Sequence, residues 1–288
     1  MNKLAIIGGS GSIGKFIGLK LDTSKYEVTS FDFKHSDVFQ DYIIDKNNLS
    51  EFVNTLKDFS YCIIAIQKQL GTKNIDEFEL INTTIPVLIS NLENFTKIVY
   101  VTTALIVPEV DNDIFSRTVM NGENTFIKNQ KEKNYTIIRP GNLINSKIPN
   151  YFTNMISRLQ HSKIVFYFGN KDLKIQFTTL EDLANYVVYC ISNNTDKDIQ
   201  LYSSLDIEIY NLISQLKVVC NSSSKLIKIP KFITVILLKL LALIDKNYYP
   251  QIRIRALLEE NISDDFVGDV ISIKKPIEIF VEEYNLND

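Results

Sequence analysis

The chain has 288 residues, 45% of them hydrophobic, and a formal net charge of −3. That length suits one large α/β domain, or a domain with a smaller appended lobe, and the composition supports a sizeable core. The absence of a basic block excludes nucleic acid as the main partner. Cys62, Cys190 and Cys220 are too widely spaced for a C-x-x-C arrangement, and neither His35 nor His161 has a companion at ligand spacing. Reduced thiols and no metal site are therefore expected.

The chain opens on a short apolar run, Leu4–Ile7, which is too brief for a secretory signal and breaks on glycine. Expected strands are Lys3–Ile7, Glu27–Asp32, Asp41–Ile44, Tyr61–Ile66, Lys97–Thr102 and Thr136–Arg139. Between them fall helix candidates at Gly14–Leu21, Leu49–Lys57, Asp76–Leu92 and Asp113–Gln130. Such alternation specifies βαβ units and a parallel sheet covered on both faces, a Rossmann-type doubly wound α/β fold. Residues 1–142 are read as this domain, with 175–203 returning to it as a strand, a helix and the edge strand Ile199–Tyr202. Residues 143–174 and 204–288 are read as a smaller C-terminal substrate lobe.

Five of the ten glycines stand at positions 8, 9, 11, 14 and 18. Both Gly9-x-Gly11-x-x-Gly14 and Gly8-x-x-Gly11-x-x-Gly14 fit a dinucleotide fingerprint placed between a strand and a helix. A pyrophosphate needs a tight turn, no side chain at the point of approach, and the free N–H groups of a helix start. Gly8, Gly9, Ser10, Gly11, Ser12, Ile13 and Gly14 are thus candidate cofactor residues. Asp32 ends the second strand, where a carboxylate accepts from ribose hydroxyls and repels a 2′-phosphate. The preferred cofactor is NAD over NADP, although Lys34 and His35 just beyond Asp32 temper that preference.

Several later segments, taken in order, resemble the extended or atypical short-chain dehydrogenase/reductases, in particular the epimerase/dehydratase branch acting on nucleotide sugars. Glycine spacing 8-11-14 is one mark. "CIIAIQ" resembles the fourth strand that lines the cofactor, "FELINTTIPVLI" a helix signature centred on Asn82, and "VYVTTA" the end of strand five. "TIIRPGN" matches an Arg-Pro-Gly element, and "IQFTTLEDLA" a later strand-to-helix segment. The resemblance covers residues 1–205 well. It implies cofactor contacts at Asp45, Ala65, Ile66, Gln67, Asn82, Arg139, Pro140 and Gly141, a catalytic hydroxyl at Thr103, and a possible homodimer.

One departure limits the resemblance. The family carries Tyr-x-x-x-Lys on the helix before the Arg-Pro-Gly strand, and the register of "SRTVMNGE" places Phe115 and Val119 at those positions. Neither side chain transfers a proton. Positioned acid–base groups contribute roughly 10²–10⁴-fold, so family-type activity should be weak or differently arranged. Tyr42-x-x-x-Lys46 has the same spacing but falls on a strand and its exit, where residues four apart are not neighbours as on a helix.

Thr179 and Asp182 form a T-x-x-D helix-capping pattern. Arg253 and Arg255, two of only five arginines, alternate in "QIRIRA" and are candidates to clamp a substrate diphosphate. The segment Phe232–Ile244 is too short to span a bilayer, for which about 20 residues are needed. Its helical repeat admits a helix packed on its own lobe, a dimer interface or a membrane contact. The leading reading is a cytoplasmic, NAD(P)-dependent reductase or epimerase-like enzyme acting on a nucleotide sugar. A catalytically silent redox sensor or regulator is the alternative, and a reductase of an uncharged ketone or quinone a third.

Overall fold

The computed structural model describes residues 1–67, 74–104, 114–130, 134–144, 151–168, 174–193, 199–203 and 205–230, and then 232, 233, 236 and 240. In chain order the elements are β1 (Asn2–Ile7), α1 (Ser12–Lys20), β2 (Tyr26–Asp32), β3 (Gln40–Ile43), α2 (Leu49–Leu56) and β4 (Tyr61–Ile64). A helical run follows as α3 (Ile75–Phe78), a π-helical stretch (Glu79–Thr84) and α4 (Ile85–Ser90). Next come β5 (Lys97–Val101), α5 (Ile114–Asn129), β6 (Tyr135–Pro140), β7 (Asn142–Ile144), α6 (Tyr151–His161), β8 (Ile164–Phe168) and β9 (Lys174–Thr179). The series ends with α7 (Leu180–Ser192), β10 (Ile199–Tyr202), β11 (Leu205–Glu208), α8 (Ile209–Val219) and β12 (Lys225–Ile229).

The chain forms two compact units, residues 1–140 with 181–201, and residues 141–180 with 202–288. The main sheet has seven strands in the order β10-β6-β5-β4-β1-β2-β3. Its pairings β1–β2, β1–β4, β2–β3, β4–β5 and β5–β6 are all parallel. This is the Rossmann-type arrangement expected from the alternating pattern, with strand order reversing direction between β1 and β4. Leu4 to Ile7, Cys62 to Ile64 and Val99 are all buried, as strands covered on both faces must be. The core below the sheet gathers Phe31, Phe52 and Phe59 with Ile81, Ile85, Ile89 and Phe126.

One helix departs from its expected form. The pattern predicts an uninterrupted helix over 76–92, and the run is helical but widens to π geometry across Glu79–Thr84. Pro86 explains the widening. It has no N–H to donate to the carbonyl of Asn82, four residues back, and its ring crowds that carbonyl in an α-helix. The Asn82 carbonyl instead lies against Gly122 of α5, where any Cβ would overlap it.

In the second unit, β11-β9-β7 form a three-stranded sheet and β12-β8 a two-stranded parallel one. Met155, Ile156, Phe177, Leu212, Ile213 and Leu216 lie in its core. The segment 175–203 is therefore divided. β9 pairs within this unit, whereas α7 from Glu181 belongs to the first. Helix α8 stops in a Schellman motif, with Asn221 left-handed at φ 48° and Ser222 N–H donating to Lys217 O at 3.0 Å. Ser224 Oγ then donates to Leu159 O at 3.1 Å, satisfying a carbonyl at the end of α6.

Candidate dinucleotide-binding site

The turn after β1 is held by backbone geometry. Gly8 has φ +89°, a left-handed conformation, and a Cβ there would stand 2.8 Å from Ala65 O at the exit of β4. Both constraints demand glycine. Gly8 N–H donates to Phe31 O at 2.7 Å and Gly11 N–H to Gly8 O at 3.1 Å, closing the turn against β2. A Cβ on Gly14 would overlap Gly8 O, so the third glycine lets α1 begin directly on the turn.

Helix α1 starts with Gly11 as N-cap, makes no side-chain capping bond, and has no acidic residue in its first turn. A nine-residue helix with a bare N-terminus presents donors and a positive dipole end to an anion. Ser12, Ile13 and Gly14 make up that first turn.

Asp32 sits at the carboxyl end of β2, largely buried. Its Oδ2 accepts from Ser10 N–H at 3.1 Å and from Ser10 Oγ at 2.5 Å, while Oδ1 accepts from Phe33 N–H at 2.7 Å. The carboxylate is thereby oriented at the glycine turn. Ser30 Oγ, buried directly against Gly9, has no hydrogen-bond partner. Asp45 is exposed after β3, its Oδ1 accepting from Asn47 N–H at 2.8 Å. Ala65, Ile66 and Gln67 follow β4, and Ala65 N–H continues the ladder to Ile7 O at 2.8 Å.

Asn82 is buried and its Nδ2 donates to Thr118 Oγ1 at 3.1 Å, which in turn donates to Phe115 O at 3.1 Å. Asn82 therefore braces α5 against the π-helical stretch. Phe115 and Val119 are both buried on α5, Phe115 packing edge-on against Phe78 at 6.5 Å between ring centroids. Thr103 follows β5 and is buried. Its neighbour Thr102 donates N–H to Ile138 O at 2.8 Å, with a buried Oγ1 that has no partner.

Arg139 on β6 is occupied. Its guanidinium meets the carboxylate of the fully buried Glu123 through Nε at 3.0 Å and also through Nη2. The family resemblance implies a cofactor contact for Arg139 and gives Glu123 no role beyond the helix register. The signal for the pair is a glutamate four residues beyond Val119, on the face α5 buries. Pro140 ends β6, and its O accepts from Ala104 N–H at 2.9 Å. Gly141, in the second unit, donates N–H to Tyr202 O at 2.9 Å and Thr178 Oγ1 at 3.1 Å. Arg253 and Arg255 lie outside the described residues. Among those described, no three His, Cys, Asp or Glu side chains group to hold a metal, and no helix is long and apolar enough to cross a membrane.

No family model and no curated protein matches the chain. Solved structures do match in fold. A UDP-glucuronic acid 4-epimerase from Bacillus cereus, in complex with NAD, superposes with a TM-score of 0.72 at 15% identity, covering 99% of this chain and 100% of that one. The UDP-N-acetylglucosamine 4-epimerase of the same organism gives 0.67 at 15% identity, covering 99% and 96%. A UDP-glucose 4-epimerase from Thermotoga maritima, solved with UDP-glucose, gives 0.71 at 11% identity, covering 99% of each chain. With its parallel seven-stranded sheet and its glycine turn, the chain shares the Rossmann-type fold of these UDP-sugar 4-epimerase structures.

Proposed function

We propose that the chain binds NAD at the carboxyl ends of β1, β2 and β4 and acts as an epimerase-like or reductase-like enzyme on a nucleotide sugar. The observation that carries this reading is the pairing of an uncapped α1 N-terminus with a buried, oriented Asp32 across a Gly8–Gly14 turn. The residues present fit the group. The turn carries glycine at positions 8, 9, 11 and 14 beside an uncapped helix start, as a pyrophosphate would require, and Asp32 ends β2, where an adenosine ribose would require an acceptor. NAD is favoured over NADP because a 2′-phosphate would meet the Asp32 carboxylate.

Bound nicotinamide would supply hydride acceptance and return. This chain's residues would bind and orient. Asp32 would accept from the ribose hydroxyls, displacing the Ser10 hydroxyl, while Gly8–Gly14 and the first turn of α1 hold the pyrophosphate. Thr103, at the carboxyl end of β5, is the proposed hydrogen-bonding group for a substrate oxygen. Phe115 and Val119 place no proton-transferring group on the buried face of α5. A water held by Thr103 is the proposed route for the proton. Arg253 and Arg255 are proposed, on the sequence alone, as partners of the substrate diphosphate.

Calorimetric titration with NAD⁺, NADH and NADP⁺, followed by incubation with a panel of UDP-sugars and separation of epimers, tests the reading. Binding of NAD⁺ more tightly than NADP⁺, with a UDP-sugar converted or bound, is expected. Cofactor binding with no UDP-sugar bound or converted refutes the substrate assignment, and no binding of either dinucleotide refutes the whole.

A further inference from the structure

The connection between β2 and β3, residues 33–39, carries basic side chains close to Asp32 and holds them on acidic partners. Lys34 and His35 follow Asp32 by two and three residues, and Lys15 follows Gly14 near the start of α1. His35 Nδ1 is 2.7 Å from Asp41 Oδ2, and the same oxygen accepts from Ser36 N–H at 3.2 Å. Lys15 is ion-paired with Asp37. Of the three basic residues, only Lys34, which is exposed, has no carboxylate partner among the described residues.

The fold places both acids. Parallel pairing sets Asp41 of β3 beside Ser30 of β2. Ser30 and Asp32 are two residues apart on one strand and point to the same face, so Asp41 shares the face of Asp32. The Asp41 side chain is 26% exposed and that of His35 is 84% exposed, so β3 positions the carboxylate and the imidazole comes to it. Beyond His35 the connection folds back onto α1. Ser36 Oγ accepts from Val38 N–H at 3.3 Å and from Phe39 N–H at 3.4 Å, and a Cβ on Gly18 would overlap the Phe39 ring. Glycine at position 18 thus seats the connection on α1, which brings Asp37 to Lys15.

NADP differs from NAD by a phosphate on the adenosine ribose, and sites that accept it supply a cation beside the ribose acceptor. Such a phosphate is held by charge-assisted bonds to basic side chains that no carboxylate already engages. We propose that Asp41 and Asp37 are selectivity residues for the dinucleotide. By engaging His35 and Lys15 they withhold the cations that a 2′-phosphate would need, and so extend the discrimination that Asp32 begins. Both are positioning residues, acting through His35 and Lys15 rather than on the cofactor. In the sequence His35 tempers the preference for NAD; in the fold it is committed to Asp41. This inference rests on the proposed dinucleotide site and names what sets its preference.

Calorimetric titration of the full chain with NAD⁺ and NADP⁺ tests it. Asp37→Ala with Asp41→Ala should tighten NADP⁺ binding by about tenfold and leave NAD⁺ binding within about twofold. Each single change should give part of the gain. Adding Lys15→Ala and His35→Ala to the double variant should return the ratio of NADP⁺ to NAD⁺ affinity to the wild-type value. A merely structural role for the two aspartates would not produce that reversal. Melting temperatures should fall by no more than about 5 °C, because exposed ion pairs contribute little to stability. Wild-type binding of NAD⁺ with no gain for NADP⁺ in the double variant would overturn this inference and leave the dinucleotide site standing. An equal gain for both dinucleotides, or a gain that survives the loss of Lys15 and His35, would also overturn it. Failure of the wild type to bind either dinucleotide would overturn the site and the inference together.

Discussion

Ser10 donates both its backbone N–H and its hydroxyl to a single oxygen of Asp32, at 3.1 and 2.5 Å. The glycine turn and the end of β2, 22 residues apart, are thus joined through one carboxylate. A ribose diol arriving at Asp32 exchanges with the Ser10 hydroxyl rather than meeting an undirected acid. Hydrogen bonds to a charged acceptor contribute about 1.5–3 kcal/mol each. Asp32→Ala should therefore weaken NAD⁺ binding by about 10- to 100-fold in calorimetric titration. NADP⁺ binding should fall far less, since its 2′-phosphate no longer faces a carboxylate. Equal losses for both cofactors would place the ribose elsewhere.

The ion pair between Glu123 and Arg139 yields a stability prediction. Glu123 is fully buried and the Arg139 side chain is about a quarter exposed. Removing one partner of a buried pair strands the other, at a cost of about 3–5 kcal/mol, and the partial exposure of Arg139 favours the lower end. Glu123→Gln should lower unfolding stability by about 3 kcal/mol in a denaturant titration. The double change Glu123→Leu with Arg139→Met should cost less than the sum of the two single changes, because neither charge is then left alone. Additive losses would show that the two side chains do not act as a pair.

Much of the first unit was legible because its physics is local and periodic. Short apolar runs gave β1 to β6 within a residue or two, and glycines packed into positions 8–14 marked the turn. Two features were hidden for different reasons. The π-helical stretch depends on Pro86 withdrawing a donor from Asn82 and on Gly122 of α5 accepting the displaced carbonyl, a contact 40 residues distant in sequence. The commitment of Arg139 to Glu123 depends on which face α5 buries, and only β6 beside it makes that a pair. The division of 175–203 was hidden for a third reason. β9 pairs with β7 and β11 rather than with the main sheet, and its strand pattern is the same in either partnership.

Alkaline pH should destabilise the protein through groups that folding keeps neutral. Burial raises the Cys62 thiol above its ordinary 9.0, and raises Tyr100 above 10.0, with the negative charge of Glu123 adding to it. Burial, with Cys190 nearby, pushes Tyr186 up to about 12. In each case the folded state holds its proton more tightly than the unfolded chain does. The stability they contribute is full below the unfolded values and is lost as pH rises through the folded ones. Melting temperature should hold to about pH 9 and then decline steadily toward pH 12. Phenolate absorbance from Tyr100 should appear only with unfolding. A Tyr100→Phe variant that still showed the full phenolate signal lag would contradict that assignment.

Phe115 and Val119 give the sharpest test of how α5 is read. Both are buried, and Glu123, one turn beyond Val119, already holds Arg139. Phe115→Tyr adds one hydroxyl at a ring edge and should change stability little. Val119→Lys instead introduces an ammonium into a site with 1% exposure, where the effective penalty for an unpaired ion is several kcal/mol. A fall in melting temperature on the order of 10 °C is expected for Val119→Lys alone. If NAD occupies the proposed site, its ribose hydroxyls would offer that lysine partners. Saturating NAD⁺ should then restore more of the melting temperature in the Phe115→Tyr, Val119→Lys double variant than it adds to the wild type. A Val119→Lys protein that melts like wild type without ligand would mean that position 119 is open to solvent. Equal NAD⁺ shifts in wild type and double variant would mean that α5 does not face the cofactor.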